Sequence, residues 1–265
     1  MPAANRSGVK RVEVVVVAAI TLVGLAVLVV YLLNGREAAR RNVCLHNQEQ
    51  LAEAMQAYDG FHPGFPGYVN RLGSGEGEEF AEAGWVVVLL PFLDKEDLWK
   101  TWQGGEEKAV YLPSLVCPAD PPLPEVRDSG PLAYVVNCGV VDESGDVNNG
   151  VCMKFKGVSL DYVENHDGAA NTLLLSENIQ AGRWTDTTIA DVGMVAFEEP
   201  GPCSGINRCV DAGDRPQEIK YARPSSYHSG GVNAALCNGN VRFINQDIDY
   251  SVYRRLLDTG DEREW

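Results

Sequence analysis

The sequence predicts an α+β fold: a long N-terminal helix, its first half transmembrane, packed on a mostly antiparallel β-sheet domain with Gly/Pro-rich loops. Three observations carry this. Val14 to Leu33 is a run without a single charge, Arg36 to Tyr58 has helical periodicity without proline or glycine, and the remainder holds short strand-like runs separated by turn residues. A chain of 265 residues that is 45% hydrophobic has enough apolar material for a sizeable core.

The uncharged run VVVVAAITLVGLAVLVVYLL is long enough, at about 1.5 Å per residue, to cross a hydrocarbon layer of about 30 Å. A secretory signal has an apolar core of only about 7 to 15 residues and a small-residue cleavage site, whereas Asn34, Gly35 and Arg36 follow here. The run therefore reads as a retained single-pass anchor in the cytoplasmic membrane, with the lipid bilayer as its partner over residues 14–33. Basic residues flank both ends, so charge alone leaves the orientation balanced. Cysteine usage and the acidic body favour an extracytoplasmic C-terminal domain. After the span, Cys44, Leu51, Met55 and Tyr58 fall on one helical face, Asn34-Gly35 offers a place for a bend, and Asp59-Gly60 ends the helix.

Residues 59–80 are rich in Gly and Glu and read as a surface loop. Strands are predicted at Trp85–Leu90, Ala133–Val136, Thr172–Ser176, Met194–Phe197, Val232–Leu236 and Val241–Ile244. The last two flank Cys237, Asn238 and Gly239, which predicts a β-hairpin with a two-residue turn. Asp249 is placed to cap a final helix that turns Val252, Leu256 and Leu257 inward. The resulting organisation is a leader or cytoplasmic stub at 1–8, the transmembrane and continuing amphipathic helix at 9–58, and a globular domain at 59–265 that contains a hairpin at 223–257.

Residues 1–58 carry a net charge of +2 and residues 59–265 one of −17, a balance that repels phosphate backbones and excludes nucleic acid as a partner. The seven cysteines show no paired CxxC spacing of a zinc site. Outside the cytoplasm, Cys203 and Cys209 can close a short loop and Cys138 and Cys152 a longer one, and the odd count leaves at least one thiol unpaired. No cofactor, metal or catalytic residue is assigned. Ser225, Ser226 and His228 lack the spacing of a nucleophile and base, and Asp142, Asp146, Asn148 and Asn149 lack the pattern of a calcium loop. His166 and Asp167 read as turn residues, and no phosphate-binding glycine loop is present.

Gly8, Val9 and Glu13 have the spacing of a prepilin processing signal, in which a leader ends in glycine and a glutamate occupies the fifth mature position. With it, the chain resembles the planctomycete-type family of pilin-like proteins of unknown function, which ends in a signature of histidine, nine residues, then Asp-Gly. The resemblance runs through REAARRNVCLHNQEQLAEAMQAY, then Trp85 with LLPFLDKEDLW, then Cys117-Pro118-Ala119-Asp120. It continues through Tyr134 to Gly139, Asp167 to Glu177, and Arg223 to Ile244. Nine residues separate His228 from Asn238, and Gly230, Gly231 and Gly239 complete the signature as structural residues. Asn238 stands where the family mostly has Asp, which keeps a turn and removes a carboxylate. Lys10 and Arg11 charge mature positions that are usually uncharged.

The resemblance implies a pilin-like fold and, with prepilin peptidase and like subunits as partners, a non-enzymatic pilin or pseudopilin role in an envelope filament or secretion apparatus. The alternative is a permanently anchored domain that binds an extracytoplasmic solute or polysaccharide. An envelope hydrolase ranks third, because it needs a convergent acid, base and nucleophile that the sequence does not display.

Overall fold

The computed structural model describes residues 11–73, 80–210 and 218–260. The chain falls into two compact units that divide between Arg40 and Arg41, inside a single helix, α1 (Arg11–Asp59). Gly8 and Val9 lie outside the described residues.

In the first unit, residues 12–33 of α1 are exposed on every side, and the segment is long and apolar enough to cross a membrane. Glu13 is exposed in its first turn. The helix runs through Asn34 and Gly35 without interruption. A glycine inside a helix costs only about 1 kcal/mol relative to alanine, which the flanking helical residues offset.

The second unit begins with the end of α1, which buries Cys44, Asn47, Gln48, Leu51, Ala52 and Met55, with Tyr58 at the edge of the same face. Strand β1 (Val69–Leu72) pairs antiparallel with β2 (Ala81–Gly84). Residues 59–80 are therefore not purely a surface loop: Phe65 enters the core, and Val69 does so as the first residue of β1. The run from Trp85 is a correction: it forms helix α2 (Trp85–Leu89) and a 3-10 turn at Leu90–Leu93 rather than a strand. A fully buried helix and a fully buried strand share the same unbroken apolar pattern, so periodicity does not separate them. Helix α3 (Glu96–Gln103) follows.

The main sheet contains β3 (Tyr134–Val141), β4 (Val147–Asn149), β7 (Leu173–Glu177), β8 (Gly193–Phe197), β9 (Gly231–Leu236) and β10 (Val241–Asn245), in the order β10-β9-β7-β3-β4 with β8 also on β3. Between them lie the small pair β5 (Cys152–Met153) and β6 (Lys156–Gly157) and the helices α4 (Leu160–Asn165) and α5 (Ile189–Val192). Every pairing in the main sheet is antiparallel except β3 with β8. All eight residues of β3 are buried. At its centre a register shift falls between Asn137 and Gly139; the Asn137 amide donates to the Leu173 carbonyl at 2.8 Å and its oxygen accepts from Gly139 N at 2.9 Å. Gly139 has φ +102, and a Cβ there would stand 2.1 Å from the Asn148 carbonyl.

The β9–β10 connection is a three-residue turn, not a two-residue one. Gly239 N donates to Leu236 O, Leu236 N donates to Asn240 O, and Gly239 itself has φ +85, the pattern of a type I turn followed by a left-handed glycine. Helix α6 (Tyr250–Leu257) closes the fold with Asp249 as its cap. Tyr253 and Leu257 face inward while Val252 is exposed, a rotation from the expected face that lets the Tyr253 hydroxyl donate to the Val195 carbonyl at 3.0 Å.

Candidate functional site

The signature histidine is buried beside the end of β7, in the segment that leads into β9. His228 is 2% exposed, and its Nε2 lies 3.2 Å from Glu177 Oε1 and 3.5 Å from Cys117 Sγ. Glu177 is the last residue of β7, and its other oxygen accepts from Asn233 N on β9 at 2.8 Å. Cys117 is bonded to Cys44 of α1, with Cα atoms 5.3 Å apart. The donor atoms of Cys44, Cys117, Glu177 and His228 lie within 4.8 Å of one another, all four residues buried. These are the described side chains of metal-ligating type that converge.

Each member is held by a different element for a local reason. The Cys117-Pro118 turn follows a 3-10 turn at Pro113–Leu115, and Ala133 N donates to the Leu115 carbonyl at 2.8 Å, tying that turn to the start of β3. His228 is fixed by Ser226, whose hydroxyl accepts from His228 N at 3.1 Å and donates to the Gly231 carbonyl at 2.7 Å. Ser225 is likewise committed, donating to Asn178 Oδ1 and accepting from Ile179 N. Both hydroxyls thus serve the turn. Gly230 adopts φ +85, and a Cβ on Gly231 would meet the Ile244 carbonyl at 2.0 Å, so the chain between His228 and β9 can pass only as glycine.

Asn233 joins this cluster to α1. Its carbonyl accepts from the Gln48 amide at 3.0 Å, and its side-chain oxygen lies 3.5 Å from Arg41 Nε. The Arg41 guanidinium also stacks on Phe243 at 3.6 Å. Farther along, the Gln56 amide donates to the Cys237 carbonyl at 2.8 Å beside Gly239. The nine residues between His228 and Asn238 are therefore β9 with the Ser229-Gly230 approach before it and Cys237 after it: the histidine marks the end at the buried cluster, and the Asn238-Gly239 turn marks the end gripped by Gln56. Asn238 Oδ1 accepts from Asn240 N at 3.0 Å, a role that a carboxylate fills equally.

The structure bonds Cys203 to Cys209, closing a loop that docks on the signature segment. Asn207 Oδ1 accepts from Ser226 N at 2.8 Å, and buried Arg223 donates to the Arg208 carbonyl, to Gln180 Oε1 and to the Tyr221 carbonyl. Desolvation lowers the Arg223 pKa to about 10. Cys138 and Cys152 do not bond to each other; with Cys237 they remain buried thiols whose pKa burial pushes up. Asp142 caps the β3–β4 turn by accepting from Ser144 N and Asp146 N, and His166 stacks on Tyr162.

A second feature is a groove of about 820 Å³ lined by Tyr58, Phe61, Arg71, Phe92, Trp99 and Trp102 among others. Tyr58 stacks on His62 at 3.8 Å, and Phe61 is 80% exposed.

A family model described as a protein of unknown function (DUF1559) matches residues 34–251. The chain belongs to the DUF1559 family. The matched residues include Cys44, Cys117, Glu177, His228 and Asn238, so the buried cluster and both ends of β9 lie inside the family region, while the apolar run precedes it. No curated protein and no solved structure matches the chain. For this DUF1559 member, Glu177 and Cys44 are the site residues that sequence reasoning did not single out. The inward stripe of α1 was the signal available for Cys44, and the block ending at Glu177 was the signal for its partner.

Proposed function

We propose that the protein is a membrane-anchored, pilin- or pseudopilin-like subunit of a cell-envelope filament or secretion apparatus, with its C-terminal domain outside the cytoplasm and no catalytic activity of its own. The observation that carries this reading is the division of labour within α1: an exposed apolar stretch, then a stretch whose inner face supplies part of a domain core. Subunits that pack by their apolar helices need such a helix, and Glu13 at the fifth position after Gly8 would pair with a neighbour's terminal amine. Intact mass and N-terminal sequencing of the protein extracted from its native membrane test it. A chain that begins at N-methylated Val9 supports assembly; one that begins at Met1 or Pro2 overturns it.

The aromatic groove favours a second reading, an anchored domain that binds an extracytoplasmic solute or polysaccharide, because flat apolar ring faces suit sugar rings. Tryptophan fluorescence titrated with envelope polysaccharides, on the wild type and on Trp99→Ala, tests this reading independently of processing.

A further inference from the structure

We propose that, when Cys44 and Cys117 are in the dithiol form, Cys44, Cys117, Glu177 and His228 bind one zinc ion. The donor set is the first reason. Two sulfurs, an imidazole and a carboxylate are ligands that zinc accepts in tetrahedral sites. Geometry is the second. With bonds of about 2.0–2.1 Å to nitrogen and oxygen and about 2.3 Å to sulfur, a tetrahedral zinc sets its N and O donors about 3.3 Å apart, and its sulfur about 3.6 Å from either. The observed separations are 3.2 Å for His228 Nε2 to Glu177 Oε1, 3.5 Å for Cys117 Sγ to His228 Nε2 and 3.6 Å for Cys117 Sγ to Glu177 Oε1. Three edges of the tetrahedron are thus in place. Cys44 Sγ, now bonded to Cys117 and within 4.8 Å of the other donors, would withdraw to about 3.8 Å from Cys117 Sγ and settle about 3.6 Å from the nitrogen and oxygen to complete the figure.

The surroundings are the third reason. A disulfide alone is apolar and gains little from a wholly buried carboxylate and imidazole at its side, whereas a metal requires charged donors oriented by neighbours. Asn233 provides that orientation, donating its backbone N–H to Glu177 Oε2 at 2.8 Å with its side-chain amide 3.5 Å from Oε1. A cavity of about 10 Å³ lined by Cys117, Glu177 and Asp120 adjoins the donors, room for about one small sphere. Metal and disulfide exclude each other. Binding of Zn2+ releases the two thiol protons; oxidation by a thiol–disulfide exchange partner forms the S–S bond, passes two electrons and two protons to that partner's disulfide, and removes both sulfur ligands.

The test uses the full chain in detergent, with Cys203→Ser and Cys209→Ser introduced to remove the other reducible pair. A water-soluble phosphine reduces Cys44–Cys117, the phosphorus taking oxygen from water while its hydrogens go to the sulfurs. After anaerobic desalting, the chain is titrated with Co2+ and then Zn2+. Expected are one equivalent of Co2+ with sulfur-to-metal charge-transfer and tetrahedral visible bands, displacement by one Zn2+, and no binding by the same chain with its disulfide intact. Near-ultraviolet circular dichroism checks folding, so that a reduced chain that regains its native spectrum only with zinc supports the site. A reduced, folded chain that takes up no stoichiometric cobalt overturns it, as does binding that survives Cys117→Ser with His228→Ala, or a reduced chain that stays unfolded with zinc present.

Discussion

Glu177 and His228 stand 3.2 Å apart with side chains 2% and 1% exposed, joining the end of β7 to the turn before β9. Because Glu177 also accepts from Asn233 N on β9, one carboxylate closes a triangle between two neighbouring strands and the signature turn. Removing it leaves buried polar partners without their acceptor. Glu177→Ala is expected to destabilise the fold by about 3–5 kcal/mol. Glu177→Gln, which can still accept from Asn233 N, is expected to cost about 1–3 kcal/mol. Urea denaturation followed by tryptophan fluorescence measures both; equal losses would show that the charge, and not the neutral acceptor that glutamine keeps, carries the whole effect.

Thiol accessibility gives a second prediction. Cys138, Cys152 and Cys237 are buried, and burial raises the pKa of each thiol, which depletes the reactive thiolate. With both disulfides intact, iodoacetamide at mildly alkaline pH is expected to add no label to the native chain, three labels after unfolding without reductant, and seven after unfolding with it. Peptide mapping reads the sites. Native labelling of Cys138 or Cys152, or a peptide linking them, would show a different pairing.

The hairpin at the end of β9 separates conformational from packing roles for the signature residues. Gly231→Ala drives a Cβ into the Ile244 carbonyl, while Gly230→Ala meets open space at φ +85 and pays only for its backbone conformation. The first is expected to lower stability by several kcal/mol and the second by about 1 kcal/mol. Asn238→Asp keeps the acceptor for Asn240 N and is expected to stay within about 0.5 kcal/mol of the wild type. Thermal unfolding of the three variants under one buffer decides it. A large loss for Asn238→Asp would mean that the amide does more than hold the turn.

Legibility differed by the range of the interaction. The apolar run, the inward stripe of α1 and the strands β3, β7, β8, β9 and β10 were readable because each is set by local periodicity and turn chemistry. Trp85–Leu89 was misread as a strand because complete burial erases the helical period. Val252 was turned the wrong way because the Tyr253 hydroxyl reaches Val195, a contact no local pattern encodes. At the site, His228 was visible through a resemblance, yet its partner Glu177 and the bond between Cys44 and Cys117, 73 residues apart, exist only after β7, β9 and α1 have packed together.

The two stretches of α1 make opposite demands on a truncated chain, and this gives the last prediction. Residues 12–33 are exposed, so their removal deletes no core contact. Residues 41–59 supply Leu51, Ala52 and Met55 to the core, Asn47 to the Val116 carbonyl and the Tyr134 hydroxyl, and Gln48 to β9. Loss of one buried Leu or Met side chain costs about 2–5 kcal/mol, and a domain's whole stability is about 5–15 kcal/mol. A chain starting at Arg41 is therefore expected to be soluble without detergent and to unfold cooperatively, whereas one starting at Gly60 is expected to be unfolded or aggregated. Differential scanning calorimetry of the two chains compares them directly. A cooperative transition in the Gly60 chain at the temperature of the longer one would mean that the sheet domain closes its core without α1.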